Sequence, residues 1–134
     1  MARRVYSVKT SSHQDVIKGA ADRLKALFGD SEQAMYVYFD DDMKFCNERF
    51  AKLLGYRNPA EWAAVVEDIP RVFVADESVE TAIKTFQATV GQGIATEVPI
   101  TWRKKDGKTV KSRTVFVPFD HDGHRMALHF VRPA

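Results

Sequence analysis

Residues Met35 to Tyr56 constrain the fold more than any other stretch of the chain. The segment reads Met-Tyr-Val-Tyr-Phe, Asp-Asp-Asp, Met-Lys-Phe-Cys, then Asn-Glu-Arg-Phe-Ala-Lys-Leu-Leu-Gly-Tyr. Apolar and aromatic residues on both sides of three acids predict two short strands joined by a tight turn. Asn47 is suited to N-cap a following helix, because its side-chain oxygen can accept from the free amides of the first turn. Phe50, Leu53 and Leu54 then recur at helical spacing. Gly55 falls where a helix C-terminus needs a left-handed residue.

A second capped helix follows. Asn58-Pro59-Ala60-Glu61 places an N-cap, a proline at the first helical position and a glutamate at the third. Trp62, Val65, Val66 and Ile69 repeat on one face of what comes next. Val74-Ala75-Asp76-Glu77 opens a longer helix, expected from about 77 to 90, with Val79, Ala82, Ile83, Phe86 and Val90 as its apolar face. Glu80 and Lys84 form a favourable i,i+4 pair, and Gly91 and Gly93 end the helix. Residues 94–104, 109–119 and 124–132 read as strands, with Asp106-Gly107 and Asp120-His121-Asp122-Gly123 as turns. Pro99 removes a ladder donor and assigns the first of these three to a sheet edge.

In order and spacing these motifs resemble a PAS domain, the sensor module of signalling proteins. The Asp near the first turn, the Asn, the aromatic residue, the Leu-x-Gly-Tyr close and the final Leu128-His129-Phe130-Val131-Arg132 carry the likeness, which spans roughly residues 33 to 132. The resemblance implies an α+β, PAS-like fold: a five-stranded antiparallel sheet, helices on one face, and an N-terminal amphipathic helix outside the core. The expected division is 1–32 as tail and helix and 33–134 as the domain. The end at Pro133-Ala134 departs from the family's usual junction to an effector, so output through a C-terminal linker is not expected.

The N-terminal helix is visible as a stripe. Ser12 offers an N-cap and Asp15 a capping-box-like partner. Val16, Ile17, Ala20, Leu24, Leu27 and Phe28 share one face, opposite Lys18, Asp22, Arg23 and Lys25. Gly29-Asp30-Ser31 breaks the helix, and residues 1–10 read as extended or poorly ordered. Such a stripe must be buried against something. The last two strands ask for cover as well. Val115, Phe116, Val117, Pro118 and Phe119 are apolar on both faces, as are Met126, Leu128 and Phe130 and the alternating Ala127, His129 and Val131. The interface candidates are therefore Val16, Ile17, Leu24, Leu27, Phe28, Val115, Val117, His129 and Val131. The expected assembly is a homodimer through this helix and the outer sheet face, with fold-back of the helix onto its own sheet as the alternative.

Composition narrows the class. A 134-residue chain with 45% hydrophobic and 28% charged residues is long enough for one domain with a real core. A net charge of +2 gives no footprint for nucleic acid, and Arg3-Arg4 is too short a basic start to change that. No apolar run approaches the ~20 residues of a membrane span, and no signal peptide is evident. One cysteine excludes an internal disulfide and fits a reducing cytoplasm.

Catalytic and metal signatures are weak. Cys46 reads as a small packed residue of the second strand. The light-sensing flavin branch carries its reactive cysteine on a later helix, where this chain has Asp68-Ile69-Pro70-Arg71-Val72-Phe73. Haem-binding relatives place a histidine on or near the long helix, and residues 76–90 contain none, so haem and a covalently reactive flavin are not expected. His121 and His124 beside Asp120 and Asp122 lack a fixed third ligand; His13 and His129 stand alone. Asp40, Asp41 and Asp42 read as turn formers, and Lys104, Lys105, Lys108 and Lys111 as a solvated hairpin tip.

The resemblance implies a space between sheet and helices that side chains fill or a small ligand occupies. Its candidate lining is Phe39, Phe50, Leu54, Phe73, Ile83, Phe86, Trp102, Phe116 and Leu128. The expected function is a non-catalytic sensory module that signals by association with a protein partner, with or without a ligand. The alternatives are a flavin-type light or redox sensor and a small cone-shaped α+β enzyme of the isomerase type.

Overall fold

The computed structural model describes residues 13–40, 42–66 and 69–134. Ser12, Asp41, Asp68 and the N-terminal stretch lie outside them. Helix α1 is His13–Asp30, followed by strands β1 Ala34–Tyr38 and β2 Lys44–Cys46. Helices α2 Glu48–Leu53, α3 Pro59–Ala63 and α4 Asp76–Gln92 come next, then strands β3 Thr96–Arg103, β4 Thr109–His121 and β5 His124–Pro133. The strands form one antiparallel sheet in the order β2-β1-β5-β4-β3. Pro99 thus sits on an edge strand, where its missing donor does no harm.

Local chemistry fixes the element ends. The Asn47 carboxamide oxygen accepts from the Phe50 amide at 3.0 Å and from Met35 in β1 at 3.1 Å, so one side chain both caps α2 and ties it to the sheet. Asn58 caps α3 through the Glu61 amide at 2.9 Å, and Glu61 reaches back to accept from the Arg57 amide. In the β1–β2 turn, Asp40 accepts from the amides of Asp42 and Met43, which is the work of a turn former. Gly55 (φ 84°) follows α2, and Gly93 (φ 69°) is the left-handed cap of α4. Gly91 lies inside α4 rather than ending it. α3 is shorter than expected: it ends at Ala63, so Val65, Val66 and Ile69 are no continuation of its face, and Val66 is exposed.

The sheet separates two cores. On its inner face Tyr36, Cys46, Ile100, Trp102, Phe116 and Val131 meet Phe50, Leu54, Trp62 and Phe73. On its outer face Met35, Val37, Met126 and Leu128 are covered by Val16, Ala20 and Phe28 of α1. The helix is therefore folded back onto its own sheet. The β4–β5 end of the sheet also grips it. Arg23 donates to the Asp120 carbonyl at 3.0 Å, and its guanidinium lies 4.8 Å from the Phe119 ring centroid. Gly19 lets the His121 ring approach so closely that a Cβ there would stand 2.6 Å from Nε2.

Two readings of face are corrected by the register. β5 pairs with β1 so that His129 opposes Tyr36 and Leu128 opposes Val37. His129, Val131 and Ala127 consequently point to the inner face, away from any outer interface, while Phe39 and Leu128 belong to the outer core and cannot line an inner pocket. Val115 and Val117 do face outward, by alternation with Phe116. Both parities of β5 are apolar, so only the pairing decides which goes where. Helix α4 is also rotated from its expected setting. Its buried residues are Ser78, Thr85 and Thr89, whereas Val79, Ala82, Ile83, Phe86 and Val90 are half-buried.

Candidate functional site

The rotation of α4 leaves a cavity of about 220 Å³ between that helix and the inner sheet face. Tyr36 and His129, neighbours across β1 and β5, line it together with Trp102 of β3. Ala82, Ile83, Phe86 and Gln87 line it from α4. Trp62 of α3 and the segment bearing Ile69, Pro70, Phe73 and Val74 form a third wall, and Tyr38 completes the ring. Gln87 is exposed and Ile69, Pro70 and Ile83 are half-buried, which puts the mouth between α4 and the 69–70 segment.

The aromatic rings brace one another. The Tyr36 ring stacks on His129 with centroids 3.7 Å apart, and meets Trp102 edge-on at 5.6 Å and Trp62 at 5.7 Å. Phe86 meets Tyr38 edge-on at 5.1 Å. Phe50, fully buried, stacks on Tyr36 at 4.6 Å and meets both tryptophans edge-on. Trp102 is held by its Nε1, which donates to Ser112 at 2.8 Å; that hydroxyl donates in turn to the Ile100 carbonyl. Trp62 differs: its Nε1 is buried without a hydrogen-bond partner among the described residues.

Behind Trp62 stands a buried lysine. Lys44, 5% exposed, donates to the carbonyls of Ala63, the last residue of α3, and of Val65 just beyond it, and its ammonium lies 5.4 Å from the Trp62 ring centroid. The carbonyls at a helix end carry negative partial charge, and the indole face adds a cation–π contact. Lys44 thus pins the α3 end, and with it the Trp62 wall, to β2.

Of the sequence-derived pocket candidates, the cavity gathers Phe73, Ile83, Phe86 and Trp102. Phe50, Leu54 and Phe116 belong to the inner core without lining it. Tyr36 and Tyr38 escaped the sequence reading, and His129 was placed at an interface instead. Tyr36 and Tyr38 share a strand face by simple alternation, which was a usable signal. The burial of Lys44 follows from the same alternation with Cys46.

Ionisation inside the site is suppressed. Burial raises the Tyr36 hydroxyl well above its ordinary value, and Tyr38 nearby adds to it. Burial pushes the Cys46 thiol up to about 12, and Cys46 does not line the cavity. His129 is 2% exposed, and desolvation holds it down at about 3, against hydrogen bonds that its ring makes to the backbone at Tyr36 and Ala127 and that favour its cation. The unfolded chain binds a proton near pH 6.5 where the folded one does not, so stability falls as pH drops through that window toward 3. Between pH 7 and pH 5 the wild type should lose about 2 kcal/mol more than His129→Phe. Urea midpoints at the two pH values measure this; parallel losses in both proteins would mean that His129 is protonated in the fold. Among the described residues no group of three His, Cys, Asp or Glu side chains could hold a metal ion.

The family profile described as PAS domain matches residues 22–89, half of the chain. The chain belongs to the PAS domain family, the sensor module of signalling proteins. Solved structures share the fold. The PAS domain of an HTR-like protein from Haloarcula marismortui is 23% identical over 88% of this chain and 94% of its own, with a TM-score of 0.60. The PAS domain of a LuxR-family transcriptional regulator from Burkholderia thailandensis, solved in complex with ethanol, is 12% identical over 81% of this chain and 95% of its own, with a TM-score of 0.61. The VqmA dimer of Vibrio cholerae, solved in the absence of its target DNA, is 10% identical, with a TM-score of 0.64; 84% of this chain matches 50% of that one. No curated protein matches the sequence. No described helix is long and apolar enough to cross a membrane.

Proposed function

We propose that this PAS domain senses a small organic molecule in the α4 cavity and passes the change, without catalysis, to a protein partner or a second copy of itself. Residues 33–134 are the sensing unit, and α1 with the preceding tail is the responding element. The observation that carries this reading is the single-strand wall between the two cores. Tyr36 and His129 line the cavity, while the adjacent Met35, Val37 and Leu128 support α1. A shift of β1 or β5 on one face is therefore felt on the other within one residue. The ethanol complex of the Burkholderia thailandensis relative supports a small-molecule occupant, and the VqmA dimer supports pairing. At about 220 Å³ the space falls below the ~300–1,000 Å³ of drug-sized sites, which argues against a flavin or a haem.

The association half of this reading has a direct test. Leu27 is 47% exposed on α1, and Leu24 beside it is half-buried. The wild type should sediment as a dimer at tens of micromolar, and Leu24→Asp with Leu27→Asp as a monomer with an intact core. A monomeric wild type at that concentration would reject self-association and leave a heterologous partner.

A further inference from the structure

Resting on the sensing role just proposed, the geometry points to a ligand of one class: an uncharged aromatic molecule of one or two rings. Among the described residues, not one Asp, Glu, Lys or Arg lines the cavity. An ion entering it would leave its hydration and find no counter-charge among the described lining residues, the least favourable way to bury a charge. The wall already contains a probe of this effect, since His129 is kept neutral there by desolvation. A cation would in addition be repelled across the Trp62 ring by Lys44, whose ammonium lies 5.4 Å from that ring's centroid and is engaged by the Ala63 and Val65 carbonyls. That engagement, together with the absence of Lys44 from the lining, withholds it from an anion. Shape favours rings over chains. Tyr36, Tyr38, Trp62, Phe73, Phe86 and Trp102 surround the space, and they meet one another edge-on or stacked. A flat guest continues that packing, whereas an aliphatic one of equal size forgoes the edge-to-face contacts. The cavity volume sets the upper limit at about two fused rings.

The chain contains two tryptophans, and both line the cavity. Their indole N–H signals in a proton–nitrogen NMR spectrum therefore report occupancy directly. The full chain is titrated with toluene, benzyl alcohol, methylcyclohexane, benzoate and benzylammonium. Toluene and benzyl alcohol should shift both signals and bind at least ~10-fold more tightly than benzoate or benzylammonium. Methylcyclohexane should bind several-fold more weakly than toluene. Ala82→Leu, which places a larger side chain in the space from α4, should abolish these shifts while leaving the free spectrum folded. Equal affinity for the charged probes, or preference for methylcyclohexane over toluene, would overturn the assignment of ligand class while leaving sensing intact. No response to any probe would overturn the sensing reading itself, and the class with it.

Discussion

Phe50→Ala should destabilise the domain by about 3–5 kcal/mol, and Phe86→Ala by only about 1–2. Both are aromatic residues on helices over the inner sheet face, and sequence spacing makes them equivalent. Their surroundings differ. Phe50 is fully buried, stacked on Tyr36 and wedged edge-on against Trp62 and Trp102. Truncating it removes the ring's burial and leaves a void bounded by rigid rings that cannot collapse. Phe86 is half-buried and already borders open space. Its removal mainly widens the cavity and forfeits the edge contact with Tyr38. Urea midpoints of the two variants, with m-values checked for constancy, measure the difference. Equal losses would mean that α4 packs with Phe86 inward and that the cavity closes in solution.

Such a contrast marks where sequence stops being informative. Local chemistry was largely legible, Gly91 and the length of α3 excepted: Asn47 and Asn58 cap the helices their neighbours announce, Gly55 and Gly93 close helices, and Pro99 sits on an edge. These signals involve residues within four positions of each other. The inner and outer faces of β5 were not legible, because Ala127, His129 and Val131 are as acceptable to a core as Met126, Leu128 and Phe130. The setting of α4 was misread for a related reason. Its apolar stripe suggested a buried face, but Ser78, Thr85 and Thr89 are the buried residues. Small hydroxyl side chains let the helix backbone approach the sheet: Ser78 accepts from the Thr101 amide at 2.9 Å, a contact a large apolar residue would prevent. The stripe is thereby turned partly toward the cavity. The cavity itself arises from Tyr36, Trp62, Phe86, Trp102 and His129, which no periodicity within the chain brings together.

The outer face gives the second large effect. Val16→Asp should release α1 while the inner core stays folded. Val16 is fully buried between α1 and the sheet, in a cluster of Met35, Val37, Met126 and Leu128 that offers a carboxylate no partner. Holding an ionised Asp there would cost several kcal/mol. The chain has a cheaper response, because α1 is linked covalently to the rest only through a short connection and can leave the sheet as a unit, giving up its contacts with Asp120 and Phe119. The loss is therefore capped by the docking free energy of α1. Full burial of a Val or Phe side chain contributes about 1.5–3 kcal/mol, and Val16, Ala20 and Phe28 are the buried members of the stripe. Hydrogen exchange should show α1 amides losing protection in Val16→Asp while the β4–β5 ladder keeps its own. Leu27→Asp, by contrast, changes a half-exposed position and should stay within about 0.5 kcal/mol of wild type. Global unfolding of Val16→Asp would show that the outer core is needed for the sheet to form. An unaffected α1 would show that the helix docks elsewhere, and the strand wall between Tyr36 and Val37 would then have nothing to transmit to.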